Sequence, residues 1–115
     1  MREQAKDKGR LEHIVKYASN VEEMTRDANF EQFAANKVLY YAVMKNIEVV
    51  GEAAYMLTKE FLLLHPELPW KEIIGMRHIL VHGYATVQPR KLWDTAIYDI
   101  PKLKQQVLRY LETLK

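Results

Sequence analysis

Apolar residues recur every three or four positions along nearly the whole chain, and this spacing limits the possible folds more than any other feature. Leu11, Ile14, Val15, Ala18 and Val21 show it first. Such a spacing places the apolar side chains on one face of a helix. No stretch has the apolar–polar alternation that is typical of a half-buried strand. The sequence therefore predicts an all-α protein.

Capping residues divide the first half of this pattern into helices. The first helix is predicted over about residues 7–27. Residues 29–32 (Asn-Phe-Glu-Gln) have the form of a capping box, in which the asparagine and the glutamine satisfy each other's backbone N–H groups. We expect a second helix to follow, with a break near Ala35-Asn36, and to run to about Leu64.

Prolines and a glycine mark the helix ends in the second half. Pro69 suits the first position of a third helix, which carries Trp70 through His82 and ends at Gly83. Pro89 opens another helix, and Pro101 either kinks it or starts a fifth. The predicted architecture is an up-and-down bundle of four to five helices with short connections and mostly antiparallel neighbours.

Length and composition restrict the class of protein further. At 115 residues the chain is expected to form one domain spanning residues 1–115. It has no cysteine, which excludes disulfides, thiol nucleophiles and cysteine metal sites and is typical of a reducing cytoplasm. A net charge of +2 does not favour a strongly basic nucleic-acid reader but permits a nuclease that contacts a few phosphates. No targeting segment or membrane span is expected, so we predict a cytoplasmic protein.

Two predicted helices each carry a strongly polar residue in the middle of an apolar face. On the third helix this residue is Arg77, which is flanked on a helical wheel by Trp70, Ile73, Ile74, Leu80 and Val81. On the second helix it is Asn46. If these helices pack together, we expect Asn46 and Arg77 to meet in a semi-buried polar site, with His82 and Tyr84 at its rim.

Structural roles are the alternative for each of these residues. A buried asparagine such as Asn46 can fix helix register, and Arg77 can extend to solvent or pair with a carboxylate such as Glu48. His82 can interact with the helix dipole in the last turn. His78 and His82 have the i, i+4 spacing of a metal-binding pair, but no further ligand motif accompanies them. The sequence therefore predicts neither a metal nor a cofactor, and it assigns His78 to the surface or to a supporting role.

The pattern Arg77-x-x-x-x-His82-x-Tyr84 resembles the signature of HEPN-domain proteins of the HepT toxin type. The resemblance covers nearly the whole chain. The other segments that match the usual course of that family are residues 46–53, Pro69-Trp70 with Gly75-Met76-Arg77, Leu92-Trp93 and residues 100–103.

This resemblance implies a HEPN-like helical domain that forms a homodimer and brings two copies of the motif to a shared cleft. It implies a metal-independent ribonuclease that acts on RNA as the toxin of a toxin–antitoxin pair. The implied partner is a minimal nucleotidyltransferase, an antitoxin that blocks the toxin by transferring AMP to the motif tyrosine. By position, Arg77 and His82 would be catalytic and Tyr84 the modified residue, while Asn46 corresponds only to a polar position in the second helix. From their chemistry, we expect Tyr84, Asn46 and His78 to bind substrate or to support the site.

Two other functions remain open on sequence grounds. The first is a non-catalytic helical binding module that docks a nucleotidyltransferase, because the same surface would serve either role. The second is a purely structural dimeric bundle, which would not explain why the polar residues Arg77 and Asn46 lie at the centre of apolar faces.

Overall fold

The computed structural model describes residues 2–114, and their side chains from residue 6 onward. Its α-helices are α1 (Arg2–Thr25), α2 (Phe30–Ala35), α3 (Lys37–Tyr55), α4 (Lys59–Leu64), α5 (Trp70–His82), α6 (Pro89–Asp94) and α7 (Ile100–Thr113). A 3₁₀ turn spans Tyr84–Thr86, and a π-helical turn at Thr95–Asp99 joins α6 to α7. No strand occurs within residues 2–114. The predicted all-α class is confirmed.

Four long helical rods form the bundle: α1, α3, α5 and the continuous rod from α6 to α7. The start of α1 meets the end of α3, because Asp7 accepts hydrogen bonds from the backbone N–H (3.0 Å) and the hydroxyl (2.6 Å) of Thr58. Further along α1, the side-chain amide of Asn20 donates to that of Asn46 at 3.1 Å. The contact later in α1 thus falls on the earlier residue of α3, so α1 and α3 are antiparallel.

Each of the two remaining rods packs on one helix of this central pair, and a groove separates them. α5 packs on α3, and α7 packs on α1. Lys104 of α7 donates to Glu22 near the end of α1 at 2.7 Å, which places the start of α7 beside the end of α1. The order around the bundle is therefore α5, α3, α1, α7, with α7 returning to the groove beside α5.

The core lies where these rods meet. Its largest fully buried side chains are Phe33, Leu11, Ile14, Ile47, Ile100, Val21, Val43, Val50 and Val107. They come from every long rod except α5, whose buried residues are Trp70 and Leu80. α5 is thus the most peripheral rod. Within residues 2–114, no helix combines the length and the apolar character needed to cross a bilayer.

The predicted second helix is divided into α2, α3 and α4. The predicted capping box is present, since Asn29 accepts from the backbone of Gln32 at 2.8 Å and Gln32 accepts from that of Asn29 at 2.9 Å. The predicted break also occurs, where the Asn36 side chain caps α3 by accepting from Leu39 at 3.1 Å. The uninterrupted course to Leu64 is not observed, because Thr58 starts a new helix by accepting from Phe61.

The predicted ends of the third helix agree with α5. It spans Trp70–His82, and Gly83 is its C-terminal cap. Pro89 occupies the first turn of α6, as predicted. Pro101 lies in the first turn of α7, as one of the two predicted alternatives has it. The rod stays continuous because a π-helical turn precedes α7 and Ile100 donates to the carbonyl of Thr95. The wider turn shifts the carbonyl that a proline ring would otherwise meet.

Candidate active site on helices α3 and α5

Arg77 lies in α5 where that helix packs on α3. Its side chain is 29% exposed, and its Nε–H donates to a carboxylate oxygen of Glu52. The guanidinium carbon lies 4.7 Å from the centre of the Tyr55 ring, in the range of a cation–π contact. Glu48, the partner suggested by the sequence, instead pairs with Lys45 at 3.1 Å. The cation is therefore held by a carboxylate and a ring that both belong to α3.

Gly51 brings the two helices close enough for these contacts. A Cβ atom built on Gly51 would lie 2.8 Å from the Cβ of Arg77 and 3.2 Å from the carbonyl oxygen of Ile73. Real Cβ atoms essentially never approach a neighbour as closely as the first of these distances. A side chain at this position would therefore push α5 away from α3.

Asn46 belongs to a different interface. It accepts a hydrogen bond from Asn20 of α1 at 3.1 Å, and its amide nitrogen donates to the carbonyl of Ala42 at 2.7 Å. The expectation that Asn46 meets Arg77 is not met. The physical reason is the helix pitch, since Asn46 and Gly51 are five residues apart and thus about 140° apart around α3. One faces α1 and the other faces α5.

His78 and His82 form an exposed pair on the last turns of α5. Their ring centres are 4.6 Å apart, and both side chains are exposed. Among the side chains of residues 6–114, no group of three or more His, Asp or Glu could hold a metal ion together. The pair therefore forms a polar surface beside the helix end.

Tyr84 is the first residue of the short 3₁₀ turn and is 61% exposed. The turn is held by Thr86, whose backbone N–H and hydroxyl both donate to the carbonyl of Gly83, at 2.9 and 2.8 Å. The phenol thus projects from a locally bonded turn, and its side chain is accessible to solvent.

Arg77 and His82 do not share one face of α5. They are five residues apart, which corresponds to about 140° around the helix axis. Arg77 contacts Glu52 and Tyr55, whereas the ring contact of His82 is with His78. Within one chain, the guanidinium and the imidazole have separate surroundings.

Two cavities lie on another side of α5. A groove of about 890 Å³ runs between α5 and the α6–α7 rod, and its lining includes Met76, Thr95 and Asp99. A second cavity of about 460 Å³ shares these three residues. Neither cavity is lined by Arg77 or His82. His82 and Tyr84 are exposed and Arg77 is partly exposed, so a polymer or a second protein has access to these side chains.

The clearest perturbed acid–base pair also lies away from the motif. Burial raises the pKa of Tyr110, and its hydroxyl raises it further by donating to Glu67 at 2.8 Å. The pKa of Glu67 is lowered, first by a hydrogen bond from its own backbone and then by the one from Tyr110. This pair joins the end of α7 to the loop before α5, so we assign it a structural role.

Glu52, Tyr55 and Gly51 are the site residues that the sequence reasoning missed. On a helical wheel, Glu52 falls on the polar side of α3, away from its apolar face. One signal was present, because a glycine within a helical pattern often marks a close approach of another element. Gly51 lies directly before Glu52. It therefore indicates both where α5 crosses α3 and which carboxylate lies beside that crossing.

Comparison with known proteins agrees with the motif. The sequence profile of the family described as "Ribonuclease HepT-like" matches residues 14–110. No solved structure matches the chain significantly.

Three relatives illustrate the similarity. A probable ribonuclease HepT of Thermococcus cleftensis is 43% identical over 94 residues, which is 82% of this chain and 86% of that protein. A putative RNase of Caldanaerobacter subterraneus subsp. tengcongensis is 40% identical over 105 residues, 91% of this chain and 94% of that one. A putative RNase of Methanocaldococcus jannaschii is 37% identical over 97 residues, 84% and 89% of the two chains. With its helical bundle and its motif on α5, the chain belongs to the HepT-like ribonuclease family.

Proposed function

We propose that this protein is a metal-independent endoribonuclease that acts in the cytoplasm as the toxin of a toxin–antitoxin pair. The observation that carries the proposal is the state of Arg77. Its Nε–H is bound to Glu52, while its two terminal amino groups donate to no other residue within the described part of the chain. A guanidinium presented in this way can bind two oxygens of a phosphate. His82, five residues later, is exposed on the same helix.

The chemistry requires only groups that the chain and RNA supply. The 2′-hydroxyl oxygen of a ribose forms a bond to the adjacent phosphorus, and the bond from phosphorus to the 5′-oxygen breaks. A base removes the proton of the 2′-hydroxyl, and an acid protonates the leaving 5′-oxygen. A histidine such as His82 can transfer protons near neutral pH, which contributes typically about 10²–10⁴-fold. Arg77 stabilises the negative charge of the phosphorane.

A homodimer gives this reaction the groups that one chain lacks. One imidazole cannot act as base and acid in the same step, and a two-fold axis supplies a second one. The separate positions of Arg77 and His82 on α5 favour the same solution, because an arginine of one subunit can then face a histidine of the other. Exposed apolar side chains lie beside the motif, namely Ile79 (56% exposed) and Val81 (37%). Such side chains are suited to a subunit interface.

Tyr84 is the proposed site of neutralisation. Its 61% exposure leaves the side chain accessible to another enzyme. The proposed antitoxin is a minimal nucleotidyltransferase, which would form a bond between the phenol oxygen and the phosphorus of AMP and release pyrophosphate from ATP. The attached adenylate would add bulk and negative charge where the phosphate of RNA has to bind. His78 and Asn46 would support the site without taking part in proton transfer.

The test compares His82→Ala with His13→Ala, a matched change of an exposed histidine on α1. We expect His82→Ala to abolish RNA cleavage and cellular toxicity while the helical circular dichroism spectrum and the oligomeric state persist. His13→Ala should retain both activities. Cleavage should persist in EDTA and leave a 2′,3′-cyclic phosphate or its hydrolysis product. Cleavage by His82→Ala at the rate of the unchanged protein would contradict the catalytic assignment.

A non-catalytic module that docks the nucleotidyltransferase is the second candidate, because the exposed Tyr84 turn would serve docking equally well. The two functions are separated by working with protein whose intact mass shows no added AMP. Absence of ribonuclease activity in such a sample, together with tight binding of the nucleotidyltransferase, would favour the docking module.

A further inference from the structure

Glu52 holds the Arg77 side chain in one orientation. The Nε–H of the guanidinium donates to the carboxylate, and the Tyr55 ring lies under the guanidinium carbon at 4.7 Å. Both partners project from α3, three residues apart, so they lie on one face of that helix. Gly51, beside Glu52, lets the backbone of α5 approach to the same point. Three contacts thus hold the long, flexible arginine: its backbone packs at Gly51, its Nε–H donates to Glu52, and the plane of its guanidinium lies on the Tyr55 ring.

This arrangement leaves the phosphate-binding edge of Arg77 open. Guanidinium has five N–H groups in a planar fork, and the Nε–H is the one that Glu52 occupies. The four N–H groups of the two terminal nitrogens have no acceptor among residues 6–114, whose side chains the structure describes. A carboxylate that bound these nitrogens instead would compete with a phosphate, whereas one that binds Nε orients the fork without covering it.

We propose that Glu52 is a positioning residue of the ribonuclease: by holding the Nε–H of Arg77, it aims the two terminal amino groups of the guanidinium at the scissile phosphate. The inference rests on the proposed ribonuclease function and extends it to a residue outside the Arg77–His82–Tyr84 motif. The alternative is a solvated ion pair without effect on the reaction, since Glu52 is 49% exposed. A further alternative is an inhibitory pair, in which the negative charge of Glu52 repels RNA.

Three substitutions at one position separate these roles. Glu52→Gln keeps an oxygen that can accept from the Nε–H but removes the charge. Glu52→Ala removes the acceptor, and Glu52→Asp keeps the charge but shortens its reach. Glu48→Ala is the matched control, because Glu48 is one turn earlier on α3 and pairs with Lys45 of its own helix.

A positioning role predicts that activity follows the hydrogen-bond acceptor. We expect Glu52→Ala to lower kcat about 10–100-fold, because a misaligned contact to the reacting group has an effect of this order. Glu52→Gln should stay within about 3-fold of the unchanged protein, since the neutral acceptor forms a weaker bond of the same geometry. Glu52→Asp should fall between them. Glu48→Ala should be unchanged, and all variants should keep their thermal midpoint because exposed ion pairs contribute little to stability.

A second measurement follows Arg77 itself. With ¹⁵N-labelled protein, the Nε–H signal of Arg77 should be resolved and slow to exchange with water in the unchanged protein and in Glu52→Gln. In Glu52→Ala it should exchange rapidly. If Glu52→Ala leaves this signal unchanged, the positioning role is refuted whatever the cleavage rates are.

The outcomes also distinguish this inference from the proposed function. If Arg77→Ala and His82→Ala abolish cleavage while Glu52→Ala cleaves normally, only the inference is wrong. Faster cleavage by both Glu52→Ala and Glu52→Gln would identify an inhibitory pair and would equally overturn it. If instead unmodified protein cleaves no RNA, or Arg77→Ala and His82→Ala cleave normally, the ribonuclease proposal fails and the inference fails with it.

Discussion

Replacing Gly51 by alanine tests whether the close crossing of α3 and α5 builds the Arg77 site. Alanine in a helix interior is favoured over glycine by about 0.5–1 kcal/mol. At Gly51, however, the added Cβ would lie 2.8 Å from the Cβ of Arg77 and 3.2 Å from the carbonyl oxygen of Ile73. Both neighbours are fixed to the α5 backbone, so no rotamer change can relieve the contact. Overpacking of this kind destabilises a protein by about 1–3 kcal/mol.

Gly75→Ala provides the control, because a Cβ on Gly75 would have no heavy atom within 4 Å. The helix-propensity gain is common to both variants, so the free energies of unfolding should differ by about 1–3 kcal/mol, with Gly51→Ala the less stable. At roughly 4 °C per kcal/mol for a chain of this length, the thermal midpoints should differ by about 4–12 °C. Thermal and urea unfolding at equal protein concentration would measure both quantities.

The same two variants should also differ in activity. Gly51→Ala displaces the Arg77 backbone relative to Glu52, so it should slow RNA cleavage at temperatures where the protein is still folded. Gly75→Ala should cleave at the normal rate. If Gly51→Ala raises the thermal midpoint as much as Gly75→Ala does, the helices are not in the contact described, and the reasoning about the site loses its geometric basis.

Three further predictions concern the bundle that supports this site. Asn29→Ala removes the capping box of α2 and should lower the free energy of unfolding by about 0.5–2 kcal/mol, measured by urea titration; an unchanged midpoint would show that the cap is not formed. Asp7→Ala leaves the partly buried N–H of Thr58 without its acceptor and should lower the free energy of unfolding by about 1–3 kcal/mol, whereas a neutral result would contradict the contact between α1 and α4. Because the pKa of Tyr110 is raised by burial and by Glu67, the unfolded chain ionises above about pH 10 while the folded chain keeps its proton. Stability should therefore fall by up to about 1.4 kcal/mol per pH unit above that point, and less steeply in Tyr110→Phe; equal slopes would refute the assignment.

Local signals allowed much of the fold to be predicted from the sequence. The capping box at Asn29, the cap at Gly83 and the proline that opens α6 all act within a few residues, so their effect is readable without a partner. The break near Asn36 is of the same kind, since its side chain bonds to Leu39 three residues later. The helical class follows from periodicity alone.

Long-range contacts set the features that the sequence did not reveal. The end of α3 depends on Thr58, whose backbone and hydroxyl are held by Asp7, 51 residues earlier. Nothing in the sequence around Thr58 shows that a buried carboxylate from α1 would fix it. The rod through Pro101 depends on the π-helical turn before it, which no periodic pattern indicates.

The candidate site also shows, within the single helix α3, the difference between what local sequence predicts and what long-range contacts decide. A helical wheel places Asn46 at the centre of the apolar face of α3, and this face was expected to meet the face that carries Arg77. α3 has two long neighbours, however, and a face broad enough for both contains two separate interfaces. Asn46 meets Asn20 on α1, while Gly51, about 140° around the helix, meets α5.

Which polar residue meets Arg77 was therefore decided by the order of the rods and by the register between α3 and α5. The wheel supplies neither of these, because it describes one helix without its neighbours. Gly51 supplies the register, since it is the point on α3 where the backbone of α5 can approach most closely. Once the crossing lies at Gly51, the next residue and the one a turn later, Glu52 and Tyr55, are those that reach the guanidinium. When a helix bears an arginine on its apolar face, a glycine in the middle of the helix it packs against marks the crossing point. The partners of the arginine can then be predicted from the residues that follow this glycine.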